Sequence, residues 1–199
     1  MHEVWLSTSY LGPVEYFRLL LGAGTAWIEA CENFEKQSWR NRMRILSANG
    51  PLELSIPVIR GNSPGQPIRE VRIDNRQNWQ KIHFRSVESA YRHSPFYEFL
   101  IDDLRYLWEI RPDYLFDYNL AATDVILGLL KSGVSIRLTQ EYQKPGQYGS
   151  GDYRYSIHPK VKKQGTVYES VPYHQVFSDR FGFTGDLSII DWLFNDFRT

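Results

Sequence analysis

A strand–helix–strand pattern at the start of the chain limits the fold more than any other feature. Val4 to Ser7 reads as a short strand, broken at Gly12-Pro13. Val14 to Leu21 follows at helical spacing, with Val14, Phe17, Leu20 and Leu21 on one face. Gly22-Ala23-Gly24 stops that helix, and Thr25 to Ala30 reads as a second strand. Such a unit makes a parallel, right-handed crossover. The expectation is therefore an α/β fold: a Rossmann-like mixed sheet with packed helices, in a single domain over residues 1–199.

The remaining elements follow from local signals. Asn49-Gly50 between Arg44-Ile45-Leu46 and Leu52–Ile56 predicts a hairpin. Pro57 ends the returning strand or marks an edge, and Gly61 to Pro67 is a loop. Three helices come next. Asp74 is the candidate cap of the first, with Gln77 at capping-box distance and an apolar stripe of Trp79, Ile82, Val87, Ala90 and Tyr91. Ser94-Pro95 opens the second, with Phe96, Phe99, Leu100, Leu104 and Leu107 inside. The third runs from about Tyr114 to Leu130. Val134 to Gln140 is a further strand, and Leu187 to Asn195 a terminal helix capped by Asp186 or Ser188. Residues 142–173 are irregular and rich in Tyr and Gly, with Tyr153–Ile157 as a short candidate strand.

Composition narrows the class. At 42% hydrophobic and 15% aromatic residues the chain is not a disordered segment. Lys plus Arg and Asp plus Glu are both 23, so no overall field favours a nucleic-acid partner. No run is long and apolar enough to enter a membrane, and Met1 to Trp5 is not a secretory signal, so a cytoplasmic location is expected. Cys31, in an apolar run, is expected as a buried inert thiol. The five histidines have no metal-ligand spacing, and no dinucleotide or P-loop fingerprint names a cofactor.

The sharpest electrostatic feature is Lys36, Arg40, Arg42 and Arg44, interleaved with Ser38 and Asn41. Arginine forks bind phosphate or carboxylate bidentately. The same alternation also describes a solvated strand face. His83 lies on the apolar stripe of its helix. It is either a hydrogen-bonded core residue or, if it lines a cleft, an acid–base group.

Several words, in order, resemble the WbqC-like family of bacterial proteins. They are Lys36-Gln37-Ser38-Trp39-Arg40-Asn41-Arg42-Met43-Arg44-Ile45, Leu54-Ser55-Ile56-Pro57-Val58, Trp79 through Tyr91, Ser94-Pro95-Phe96-Tyr97 and Leu187 through Asn195. The family pattern opens with His-Gln-Pro-x-Tyr; here the stretch is Leu6-Ser7-Thr8-Ser9-Tyr10, which keeps only the tyrosine. With 142–173 replacing a Gly-rich segment, the chain is similar to the shortened forms found in Bacteroidetes. The resemblance implies surface-polysaccharide biosynthesis, notably of O-antigen. The function expected from it is transferase-like, with a nucleotide-sugar or phosphorylated small molecule as ligand. Lys36, Arg42 and Arg44 bind the anion, Ser38 and Asn41 orient it, Tyr10 and Tyr91 wall the pocket, and His83 is the catalytic acid–base. The alternative is a non-catalytic binding or scaffold protein whose aromatic loop docks a partner or glycan.

Overall fold

The computed structural model describes residues 2–59, 61, 65–161 and 169–197. β1 (Glu3–Ser7), α1 (Val14–Gly22) and β2 (Thr25–Glu29) form the expected crossover, with Glu3 opposite Thr25 and Ser7 opposite Glu29 in parallel register. β3 (Arg42–Ser47) and β4 (Gly50–Ser55) make the hairpin. Its turn residues are Ala48 and Asn49, and Gly50 takes the φ of +103° that a side chain would strain. β5 (Val58–Ile59) and β6 (Arg72–Ile73) form a short antiparallel pair. Then come α2 (Trp79–Tyr91), α3 (Tyr97–Arg105) and α4 (Leu115–Leu129). β7 (Ser135–Leu138) joins β2 in parallel to complete a sheet of order β1-β2-β7. α5 (Ser178–Phe181) and α6 (Ile189–Asp196) follow. The fold is mixed α/β with a parallel sheet, as expected. Among the described residues no helix is long and apolar enough to cross a membrane.

Several local expectations are corrected. α2 begins at Trp79 with Asn78, not Asp74, at its N-cap position and no side-chain cap; Asp74 instead accepts from Arg76 Nε at 2.8 Å. Ile82 and Phe99 are exposed, at 58% and 78%. His83, one position along from Ile82, faces inward instead. Cys31 is exposed just beyond β2. Tyr153–Ile157 is a turn rather than a strand; the sheet contact there is a single parallel bridge from Asp152 to Trp5. Ser188 does cap α6: its Oγ accepts from Ile190 N and donates to Leu11 O at 2.6 Å.

The period of two in the strands gives the sheet two different faces. Val4, Leu6, Ala26 and Ile28 are buried at 1% exposure or less and join the core. On the other face Trp5, Trp27 and Arg137 are register neighbours. The indoles of Trp5 and Trp27 stack with planes 4° apart, Tyr148 stacks on Trp5 at 4.8 Å, and the Arg137 guanidinium lies 5.6 Å from the Trp27 ring. Arg154 closes the row, 4.6 Å above Tyr148.

Arg154 explains why an irregular segment holds one shape. Its side chain is fully buried, and a buried cation is tolerated only when paired and hydrogen-bonded. All five of its N–H donors are matched: Nε to Asp152, NH1 to Glu29 (2.6 Å) and the Gln143 carbonyl, and NH2 to Asp152 (2.7 Å) and the Lys144 carbonyl. Gly151 lies so close to β1 that a Cβ would meet the Glu3 carbonyl at 2.5 Å. A second buried pair, Arg40 with Glu32, takes Ser7 Oγ as a further acceptor at 2.9 Å.

Arg154→Met leaves Glu29 and Asp152 buried without a cation, and should destabilise the fold by about 3–5 kcal/mol in urea unfolding. Adding Glu29→Gln and Asp152→Asn should restore a large part of that. A loss under about 1 kcal/mol in the single variant, on the same scale, would show that the guanidinium does not organise the segment.

Candidate functional site

The loop joining β2 to β3 carries three of the expected ligand-binding residues, Lys36, Ser38 and Asn41, and it is tied down at both ends. Phe34 N donates to Gln66 O and Ile68 N to Glu32 O, which hold residues 32–34 against 66–68. Ser38 Oγ donates to Glu35 O at 2.6 Å, and the Arg40 carbonyl accepts from Asn119 Nδ2 at 2.7 Å. Between these anchors Gln37 holds a φ of +57°, a conformation disfavoured for any residue but glycine or asparagine.

This loop forms one wall of a cavity of about 660 Å3. Lys36, Asn41 and Arg42, expected from sequence, all line it. Lys160, from the irregular region, brings a third cation, and Phe34 and Val58 supply apolar surface. No carboxylate is among the described lining residues. Arg42 NH1 donates to Glu53 at 2.6 Å, while its Nε is buried without a hydrogen-bond partner. Asn41 is oriented by its Nδ2 bond to Ile56 O. Lys160 was not legible as part of this group because 118 residues separate it from Arg42 (160 minus 42). His158 fixes it in place: His158 Nδ1 accepts from Lys160 N at 3.1 Å, and its Nε2 lies 3.5 Å from Glu35 Oε1.

The other expected site residues lie elsewhere. Arg44 does not line the cavity; it faces its cross-strand neighbour Glu53 at 2.7 Å, the arrangement of a solvated strand face. Ser38 is buried and spends its hydroxyl on its own turn. Tyr10, Tyr91 and His83 are buried, at 0%, 0% and 3% exposure. Trp108 Nε1 donates to the Tyr10 hydroxyl, which is hydrogen-bonded to His83 Nδ1 at 2.9 Å. The Ser55 backbone is a second hydrogen-bond partner of the His83 ring. Ser55 itself lines the cavity, so His83 stands one residue behind its wall. Burial pushes the His83 imidazole down to about 4, which keeps it neutral.

Tyr91 belongs to a second buried polar cluster. Its hydroxyl accepts from Leu46 N and donates to Asp191 Oδ1 at 2.7 Å, while Tyr173 donates to Asp191 Oδ2 at 2.7 Å. No cation joins Asp191 in these bonds, and burial raises its carboxyl to about 6 against the opposing pull of its hydroxyl and amide donors. Among the described residues no group of His, Cys, Asp and Glu is arranged to hold a metal ion.

His83 and Asp191 impose opposite pH dependences on stability. The imidazole takes a proton near 6.5 when unfolded but near 4 when folded, so its contribution is lost as pH falls through that window. The Asp191 carboxyl keeps its proton to about 6 when folded but loses it near 3.8 when unfolded, so its contribution is lost as pH rises from about 4 to 6. Each amounts to about 3 kcal/mol. Denaturant unfolding across pH 4–7 should therefore show the difference between wild type and Asp191→Asn sloping one way, and that between wild type and His83→Gln sloping the other. Parallel curves for all three proteins would contradict both assignments.

The model of the WbqC-like protein family matches residues 8–164, which include every lining residue of the basic cavity and stop short of α6. Over 86 residues the chain is 31% identical to the uncharacterized protein Rv1507c of Mycobacterium tuberculosis (strain ATCC 25618 / H37Rv). That stretch covers 43% of this chain and 37% of the relative, so the chain spans little more than a third of that protein's length. No solved structure matches. Because the family match takes in most of its length, the chain belongs to the WbqC-like protein family.

Proposed function

We propose that this protein is a transferase-like component of surface-polysaccharide biosynthesis, of the O-antigen type, which binds a nucleotide-activated or phosphorylated substrate in the basic cavity. One observation carries the reading: Lys36, Arg42 and Lys160 line a cavity with no carboxylate in its described lining, and of the three only Arg42 is ion-paired, to Glu53, among the described residues. A diphosphate suits such a group, since its charge is spread over several oxygens that can each meet a cationic donor. Neither Lys36 nor Lys160 is spent on an ion pair among the described residues. Asn41 and Gln66 add amide groups for a sugar or base, and Phe34 a ring surface. The polysaccharide setting rests on the family resemblance. His83 takes part from behind, by holding the Ser55 strand end that forms the cavity wall.

The reading in which the aromatic loop presents one exposed tyrosine patch to a macromolecular partner is weakened by where the tyrosines point. Tyr148 stacks on Trp5, and Tyr142 and Tyr155 pack around Arg154. Tyr168 lies outside the described residues.

Calorimetric titration with UDP-N-acetylglucosamine, GDP-mannose and inorganic pyrophosphate tests the proposal. At least one should bind saturably, and Lys36→Ala or Lys160→Ala should each weaken it by about tenfold, or about 1.4 kcal/mol. Lys81→Ala, outside the cavity, should not. Absence of binding by all three, or binding indifferent to both lysines, removes the proposal.

A further inference from the structure

Consecutive residues Phe34, Glu35 and Lys36 stand between two cavities. Phe34 lines both, Lys36 belongs to the basic one, and Glu35 belongs to a second of about 420 Å3. Asn33, Arg40, Tyr142 and Tyr155 complete much of the second cavity. It lies just past the carboxyl ends of β2 and β7, where open α/β sheets hold ligands.

Its walls are held rigidly from behind. Arg40, only 3% exposed, donates through NH1 to Glu35 Oε2 at 3.2 Å, and His158 stands 3.5 Å from Oε1. The buried Arg154 guanidinium lies 5.8 Å from the Tyr142 ring and 6.0 Å from the Tyr155 ring, whose hydroxyls meet at 3.3 Å. Glu35 nevertheless keeps 43% of its side chain exposed, so its oxygens remain available to a ligand.

The chemistry of this lining differs from that of its neighbour. A phosphate would meet the Glu35 carboxylate beside a guanidinium, Arg40, already paired with Glu32 and Glu35, and an ammonium would meet aromatic rings already facing the Arg154 cation. Tyrosine rings beside a carboxylate and an amide instead match a hydroxylated ring. Its C–H surface packs on tyrosine, and its vicinal hydroxyls donate to Glu35 while exchanging hydrogen bonds with Asn33. We propose that this second cavity binds a saccharide ring, and that it is the acceptor side of the site whose activated donor occupies the basic cavity. The acceptor role rests on the transferase-like reading; saccharide binding does not.

Saturation-transfer NMR on the full chain with glucose, galactose and N-acetylglucosamine, each to 20 mM (about the range of weak sugar affinities), provides the test. At least one sugar should bind. Tyr142→Ala, at a half-exposed position, should weaken it by about fivefold or more with unchanged melting temperature, as should Glu35→Gln, whereas Lys160→Ala should leave it unaltered. No sugar binding, binding indifferent to Tyr142, or a Tyr142-dependent response to choline alone would each overturn the proposal. Nucleotide or pyrophosphate binding without sugar binding defeats this inference only. Sugar binding without either supports the cavity while removing its acceptor role.

Discussion

The matching of one buried guanidinium governs much of this structure. Arg154 is tolerated in the interior only because each of its donors has an acceptor, and those acceptors come from three parts of the chain. Glu29 lies at the end of β2, Asp152 is two residues away, and the carbonyls of Gln143 and Lys144 must turn inward to reach it. Once that turn is made, Tyr148 is laid on Trp5, and Tyr142 and Tyr155 are set beside the carboxyl end of the sheet. A Gly- and Tyr-rich stretch with little regular structure thus acquires defined walls from electrostatic necessity rather than from periodicity.

That distinction explains what was legible beforehand. The crossover, the hairpin, α4 and the Ser188 cap are encoded within a few residues of themselves, by apolar spacing, turn chemistry and capping. The bonds that position the interior are not local. Glu29 meets Arg154 across 125 residues, Tyr91 meets Asp191 across 100, and Tyr10 meets His83 across 73. Periodicity also misplaces residues near the edge of a helical stripe. Ile82 and His83 are adjacent, and the apolar one is outside because the imidazole has a hydroxyl partner and a backbone partner within.

The candidate site divides along the same line. Lys36, Asn41 and Arg42 could be grouped from sequence because seven residues hold them all within one loop and strand start. Lys160 and Glu35 could not, since only folding of the irregular segment brings His158 between them. Tyr10, His83 and Tyr91 show that polar residues on a family pattern need not touch a ligand. Each serves a buried network in which an unmatched group would be costly, a requirement as strict as recognition itself.

The sheet has only three strands, and its two margins differ. On the β1 side the Asp152 bridge and the Tyr153 N–H bond to the Trp5 carbonyl occupy the edge, whereas β7 has no further strand beside it among the described residues. The two margins are therefore not equivalent: β1 carries a neighbouring backbone at Trp5, while β7 meets no described strand on its outer side. Because Asp152 also accepts from Arg154, the guanidinium that shapes the interior is what lays this backbone along β1.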